Sequence, residues 1–390
     1  ASRSVTVGTD SPETAVTAIF REGFSCMVLP PATQATPNVL LGLPEPPTPF
    51  PRDVTAAVDW PYGEQVVIEQ PFDVDQAALQ QAAEWAFEPA VAEQMTVSLL
   101  ITRGEQVLLE RYAPGFDATT RTRTWSTAKS IASTLIGMLV EDGLLSLDDP
   151  LPIDWLPKLA VPETDPRVGI TLRHVLHMAS GLYPVDSSRM EYQSGSGLAY
   201  WAGESSAIEA RRRGLVRMPG TFWDYENYDT LLAIYAMRRV LPDVQSYLDY
   251  PNQRLLKKLG MHQTLIGADR FGDFILSSQV YSNARDLGRL GLLYLNEGVW
   301  RGERLISKDW IDFIRTPAPV STNPRGQYGG QWWLVPNDRT DIPKGAYATA
   351  GSRGQFVIVV PSHQVVIVRR GLDYGLKGFN FWDLTREVLK

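Results

Sequence analysis

The sequence predicts an α/β fold built on antiparallel strands, and three segments carry that prediction. Residues 96–102 and 106–112 are two β-rich runs separated by the turn Arg103-Gly104-Glu105, a hairpin signature. From Trp125 the chain continues through small and apolar residues to the stop Glu141-Asp142-Gly143, and a helix apolar on most sides is a core helix. Near the C-terminus, residues 357–360 and 365–369 are two further β-rich runs that read as a second hairpin.

Taken in chain order, residues 1–75 differ from the rest. They carry Pro30-Pro31, Pro37 and the run Pro44-Glu45-Pro46-Pro47-Thr48-Pro49-Phe50-Pro51. Prolines at that density form neither a helix interior nor a central strand. Residues 1–75 are therefore predicted to be a proline-rich strap, with a short strand near residues 24–29 and with Trp60, Pro61 and Tyr62 packing on the body. Cys26 is the only cysteine, so no disulfide is expected, and its apolar neighbours predict a buried side chain. Residues 76–390 read as one catalytic unit.

The most informative stretch is Ser126-Thr127-Ala128-Lys129, at the start of the predicted core helix. Residues three apart share a helix face, so the serine hydroxyl and the lysine amine can meet in one cleft. A serine hydroxyl is a weak nucleophile until a neighbouring base takes its proton. A buried lysine, whose charged form is disfavoured, can be that base. Thr124, Trp125 and Thr127 offer no water-rich flank through which Lys129 could escape to solvent.

The order hairpin, loop, Ser-x-x-Lys, long apolar helix and then Asp148-Asp149-Pro150 resembles the penicillin-recognising serine hydrolases. The resemblance is closest to the branch of class C β-lactamases, related esterases and 6-aminohexanoate-dimer hydrolases, and it runs from about residue 94 to 390. It implies a β-lactamase-like fold: an antiparallel sheet with helices on both faces and an all-helical region inserted around residues 145–280. The family's second element is Tyr-x-Asn, and four candidates occur: Tyr225-Glu226-Asn227, Tyr250-Pro251-Asn252, Tyr281-Ser282-Asn283 and Tyr294-Leu295-Asn296. Tyr225 is preferred because a Pro219-Gly220 turn and a short aromatic stretch precede it and a helix follows. The third element, ordinarily Lys-Thr-Gly or His-x-Gly, corresponds to Thr349-Ala350-Gly351-Ser352-Arg353. Thr349 stands where the family has its cation, which argues against penicillins and peptidoglycan stems unless Arg353 substitutes. Leu172 to Leu182, Leu259-Gly260-Met261, Ala284 to Leu287, Leu293 to Gly298 and Gly329 to Trp333 also resemble family segments.

The resemblance assigns Ser126 as nucleophile, Lys129 as its base and Tyr225 as acid/base for the leaving group. Asn227, Gly351, Ser352 and Arg353 are the expected substrate-binding residues, with the amides of Ser126 and Ser352 forming the oxyanion hole. The expected reaction is hydrolysis of a small-molecule ester or amide through an acyl-serine, with no metal and no organic cofactor. A 6-aminohexanoate-oligomer hydrolase or short-chain esterase is favoured over a β-lactamase or D-alanyl-D-alanine peptidase. A non-catalytic, penicillin-binding-like protein is the reading from another class.

Composition removes other possibilities. The chain has 390 residues, 44% of them apolar, and a net charge of −7 from 37 basic and 44 acidic residues. No basic stripe suggests nucleic acid, and Arg211-Arg212-Arg213 reads as a solvated helix face. No apolar run approaches a bilayer span. No Gly-x-Ser-x-Gly elbow and no His-Glu-x-x-His pair occurs, and His174 and His177 read as satisfied helix polar groups. A start at Ala1 suggests a removed signal peptide and a periplasmic or secreted location.

Overall fold

The computed structural model describes residues 3–7, 15–48, 58–88, 91–185, 195–320, 327–375 and 377–390. The 96–112 segment forms the predicted hairpin, β1 (Thr96–Arg103) and β2 (Gln106–Tyr112), joined through Gly104, which turns with φ +54°. Later in the chain come β3 (Gln327–Tyr328), β4 (Trp333–Leu334), β5 (Tyr347–Gly351), β6 (Gln355–Val360) and β7 (Val365–Gly371). These seven make one sheet of order β3-β4-β5-β6-β7-β1-β2, and every neighbouring pair is antiparallel.

Successive side chains of a strand point to opposite faces, and here both faces are covered. Leu100, Val357, Val359, Val366 and Val368 point into one core; Leu99, Ile101, Ile358, Val360 and Ile367 point into the other. The first core is closed by α2 (Thr127–Glu141) and α4 (Ala284–Leu295), the second by α1 (Gln76–Phe87) and α5 (Phe381–Val388). Between α2 and α4 in sequence runs α3 (Asn227–Val240), which packs on α2 away from the sheet. This is the predicted α/β arrangement with helices on both faces.

Among the described residues of 145–280 the longer elements are helices, namely Leu172–Leu176, Ser196–Trp201, Ser206–Arg212, α3 and Val244–Pro251, joined by irregular segments. They are not all helical, however. Leu265–Ile266 is a strand that pairs with Val280–Ser282, which in turn pairs with Thr122–Arg123. Two apolar residues are too short a run for periodicity to reveal, yet this small sheet carries the chain into α2.

The N-terminal part contains a three-stranded antiparallel sheet of Arg3–Val7, Val16–Phe20 and Cys26–Val28. Ile19, Phe24, Met27, Leu29 and Trp60 join the core that α2 and α4 close. Cys26 is exposed, against expectation, because strand alternation points Met27 inward and turns Cys26 outward. The triple-arginine cluster also departs from its reading. Only Arg212 is solvated, while Arg211 and Arg213 are buried and paired with Asp154 and Asp229 at 2.8 and 2.7 Å. No helix among the described residues is long and apolar enough to cross a membrane.

Candidate active site

The approach to Ser126 is set by the backbone. Thr124 N donates to Val280 O at 2.7 Å, and Trp125 then turns with φ +49°, a left-handed conformation. Such a conformation costs a non-glycine residue about 1–3 kcal/mol and persists where surroundings enforce it. Ser126 follows as N-cap of α2. An N-cap serine ordinarily accepts from the second or third amide of its helix, but Ser126 makes no such bond. Its hydroxyl instead accepts from Lys129 Nζ at 3.2 Å.

Lys129 is 1% exposed. Besides Ser126 Oγ, its ammonium nitrogen reaches Ser277 O at 2.9 Å and Asn227 Oδ1. Each of these is a neutral acceptor. Asn227 is the first residue of α3, and its Nδ2 donates to the buried Ser196 Oγ at 3.0 Å. Ser277 is held in turn by a 2.6 Å bond between its hydroxyl and that of Tyr200. The lysine is therefore gripped from α3 and from the 277–278 segment, with Ser126 one helical turn before it.

Tyr225 closes the site. Lys129 Nζ lies 5.0 Å from the centre of its ring, which stacks on Trp333 at 5.9 Å and meets Tyr328 edge-on at 6.0 Å. The backbone beneath it is fastened at several points. Glu226 caps α3 through Tyr228 N and accepts from Val185 N, and Asp224 N donates to Met178 O at 2.8 Å. Asp229 accepts from Ser180 Oγ and pairs with Arg213. Burial pushes the Asp229 carboxyl above its ordinary range, and Arg213 and Ser180 counter that shift. The family-like segment around residues 178–182 thus serves as the foundation of the tyrosine loop.

The other Tyr-x-Asn candidates sit elsewhere. Tyr294 is buried in α4 and bonded to Thr134 Oγ1, Tyr281 lies on the 280–282 strand and donates to Gln279, and Tyr250 belongs to the 244–251 helix. Of the two helix histidines, His174 completes the Thr171 capping box, whereas His177 Nε2 is buried with no hydrogen-bond partner among the described residues. That second histidine stacks on Phe313 at 4.8 Å, and its burial pushes the imidazole down to about 4.

The third segment reaches the site through Gly351, the last residue of β5. A Cβ there would lie 2.2 Å from Thr124 O and 3.1 Å from Thr127 N, so only glycine lets the strand end abut the start of α2. Thr349 is fully buried. It bonds Thr127 Oγ1 at 3.0 Å and accepts from Val357 N at 3.0 Å, clamping α2 to the sheet. Ser352 and Arg353 are exposed beyond the strand end. Arg353 has φ +59°, and its guanidinium lies 5.7 Å from the centre of the Trp125 ring with no hydrogen bond or ion pair among the described residues. Next to it opens a groove of about 870 Å³ bordered by Arg339, Asp373, Tyr374, Phe379 and Phe381.

Ser126, Lys129, Tyr225, Asn227 and Gly351 therefore converge on one place, with Ser352 and Arg353 at its edge. Sequence reading missed Ser196, Ser277, Tyr200 and Gln331. Gln331, buried with φ +68°, accepts from Ser130 Oγ through its carbonyl and from Thr230 Oγ1 through its side chain, stitching α2 to α3. Among the described residues no group of three His, Cys, Asp or Glu side chains is arranged to hold a metal ion.

With fold and site in view, comparison with known proteins gives a consistent result. A family model described as Beta-lactamase matches residues 87–369. The chain belongs to the β-lactamase family, whose members here are hydrolases of the serine type. It is 27% identical over 302 residues to the 6-aminohexanoate-dimer hydrolase of Paenarthrobacter ureafaciens, a match spanning 72% of this chain and 74% of that one. A D-stereospecific amidohydrolase from Streptomyces sp. has a similar fold, with a TM-score of 0.58 at 19% identity over 81% of this chain and 98% of that one. A family VIII carboxylesterase gives 0.61 at 15% identity, over 83% and 98%.

Proposed function

We propose that this protein hydrolyses an ester or amide bond of a small molecule through an acyl-serine at Ser126. One observation carries the reading: a solvent-excluded Lys129 whose Nζ stands 3.2 Å from an otherwise uncapped Ser126 hydroxyl. Neutral Lys129 takes the serine proton as Oγ attacks the substrate carbonyl carbon. The negative charge that develops on the carbonyl oxygen is met by the amides of Ser126 and Ser352; preorganised donors of this kind contribute about 3–4 kcal/mol each. Collapse breaks the bond to the leaving alcohol or amine, which receives a proton by way of Tyr225. Water then attacks the acyl-serine, giving up a proton to Lys129 and Tyr225; collapse breaks the bond between the acyl carbon and Oγ, Ser126 Oγ takes its proton back from that pair, and the carboxylic acid departs.

The third segment supports a substrate class. Thr349 is turned into the protein, so no cation stands at the family's usual position. This supports a short-chain ester or a 6-aminohexanoate-like amide over a β-lactam. The relative hydrolysing 6-aminohexanoate dimer supports the same side.

The test is hydrolysis of p-nitrophenyl butyrate, 6-aminohexanoate dimer and a cephalosporin by the wild type and by Ser126→Ala. Turnover of the ester or dimer that vanishes in a folded Ser126→Ala variant is the expected result. Undiminished turnover in that variant refutes the nucleophile, and preference for the cephalosporin refutes the substrate class.

A further inference from the structure

Six arginines among the described residues are buried: Arg167, Arg211, Arg213, Arg289, Arg369 and Arg370. Five of them pair with a carboxylate, namely Asp165, Asp154, Asp229, Asp286 and Asp373 respectively. Arg370 does not. It is 1% exposed, and its guanidinium is bonded only to neutral acceptors. Nε donates to Gln355 Oε1 at 2.7 Å, one terminal nitrogen to Ser282 O at 2.8 Å, and the other to Thr122 O at 2.8 Å, to Thr122 Oγ1 and to Arg123 O at 3.4 Å. Burial alone pushes it down to about 9, with no neighbouring charge acting on it.

A buried cation without a counter-charge is costly, and a well-packed apolar side chain in its place is often neutral or stabilising. What Arg370 holds explains its retention. Thr122 and Arg123 lie four and three residues before Ser126, on the strand that delivers the nucleophile. On the other side, Gln355 Nε2 donates to Arg353 O at 2.9 Å, one residue beyond Ser352. Gln355 O also accepts from Thr127 Oγ1 at 2.9 Å, which returns the network to the first turn of α2. The Arg370–Gln355 pair thus joins the two backbone segments that bear the Ser126 and Ser352 amides.

We infer that Arg370 is a positioning residue for acyl transfer: it fixes those two segments against each other, and its uncompensated positive charge favours the anionic tetrahedral intermediate over the neutral substrate. This rests on the acyl-serine reading above. It requires Arg370 variants to lose kcat and leave KM nearly unchanged, because the interaction strengthens only as negative charge develops.

Three substitutions separate the clamp from the charge. Arg370→Met removes both, and a misplacement of the oxyanion donors on the ångström scale lowers kcat about 10²-fold; Arg370→Lys restores part of it. Thr122→Asp sets a carboxylate on a guanidinium nitrogen that Thr122 Oγ1 already contacts; it gives up the 3.5 Å bond from Thr122 Oγ1 to Gln355 Oε1 but keeps the Arg370–Gln355 link while cancelling the charge. Its expected signature is an unchanged or raised Tm, a KM within about twofold of wild type and a lowered kcat, because the cancelled charge no longer attracts the developing oxyanion. Affinity for a phenylboronic acid, whose serine adduct is a tetrahedral anion, falls in parallel. If Arg370→Met fails to fold, Thr122→Asp decides alone.

Wild-type kcat and boronate affinity in folded Thr122→Asp overturn the charge role. Losses in Arg370→Met that merely track its folded fraction overturn the positioning role. A wild type that neither turns over an ester or amide nor is labelled at Ser126 by a fluorophosphonate overturns the hydrolase reading and this inference with it. An active, labelled wild type with unaffected variants overturns this inference alone.

Discussion

Gly351→Ala is the most demanding test of the site geometry. The added methyl would lie 2.2 Å from Thr124 O, 3.0 Å from Gln355 Cβ and 3.1 Å from Thr127 N. A carbon and a carbonyl oxygen settle at about 3.3 Å or more, so strand end and helix start must separate by about 1 Å. Backbone on both sides cannot yield as a flexible side chain would. The backbone of Gly351 is not left-handed, so alanine introduces no torsional strain and the clash is the whole perturbation. Overpacking of this kind destabilises by about 1–3 kcal/mol. The larger effect falls on the reaction: Ser352 N moves relative to Ser126, and a 1 Å displacement lowers kcat about 10²-fold. The assay is kcat and KM on p-nitrophenyl butyrate together with thermal unfolding. Gly345→Ala, whose added methyl meets nothing within 4 Å, is the control and retains wild-type values. A folded Gly351→Ala enzyme with kcat within about threefold of wild type would mean that β5 and α2 do not meet as described.

Three further outcomes are expected. Asn227→Asp places a carboxylate against Lys129 Nζ, which holds the ammonium form; the acid limb of the pH–rate profile moves to higher pH by about one unit or more, and an unmoved limb refutes Lys129 as base. His177→Phe changes acid stability. Burial holds His177 at about 4 against 6.5 unfolded, so the unfolded chain alone takes up its proton between those values, and stability falls as pH drops through that window by up to about 3 kcal/mol. The phenylalanine variant lacks that part of the slope, which urea midpoints at pH 7 and pH 4.5 reveal; an identical slope refutes it. Arg353→Ala lowers kcat/KM about tenfold for a substrate with a free carboxylate near the scissile bond and much less for a neutral ester, because a charge-assisted bond is lost only with the former. Equal losses with both would assign Arg353 a structural role.

How much of this was legible in the sequence depends on how local the signal was. The 96–112 hairpin, the nucleophile helix and the 355–371 hairpin are continuous patterns of a dozen or more residues, and each formed where periodicity indicated. Ser126 and Lys129 were readable because three residues on a helix fix their proximity. Tyr225 was readable from its turn-then-helix setting, although four equivalent triplets occurred. Ser277 was not, because it contributes a backbone carbonyl, which any residue has. Gln331 and Arg370 act through bonds to distant backbone, and Cys26 and the arginine cluster were misjudged because strand parity and helix-end packing are tertiary facts.

The third segment shows how a departure from pattern is to be understood. On sequence alone, Thr349 in place of a cation looks like a simple loss. In the fold it is a gain of a different kind: a buried hydroxyl that ties Thr127, directly after the nucleophile, to the Val357 amide. A lysine at that position would have to bury its amine or break this clamp, so cation and clamp exclude each other. Arg353, exposed beyond the strand end, lies 5.7 Å from the centre of the Trp125 ring. A residue there faces the groove toward Phe379 and Phe381. Thr349→Lys, which sacrifices the clamp to restore the cation, should lower the Tm and kcat on the ester without creating cephalosporin turnover; acquired β-lactam hydrolysis would show that the cation alone sets the substrate class.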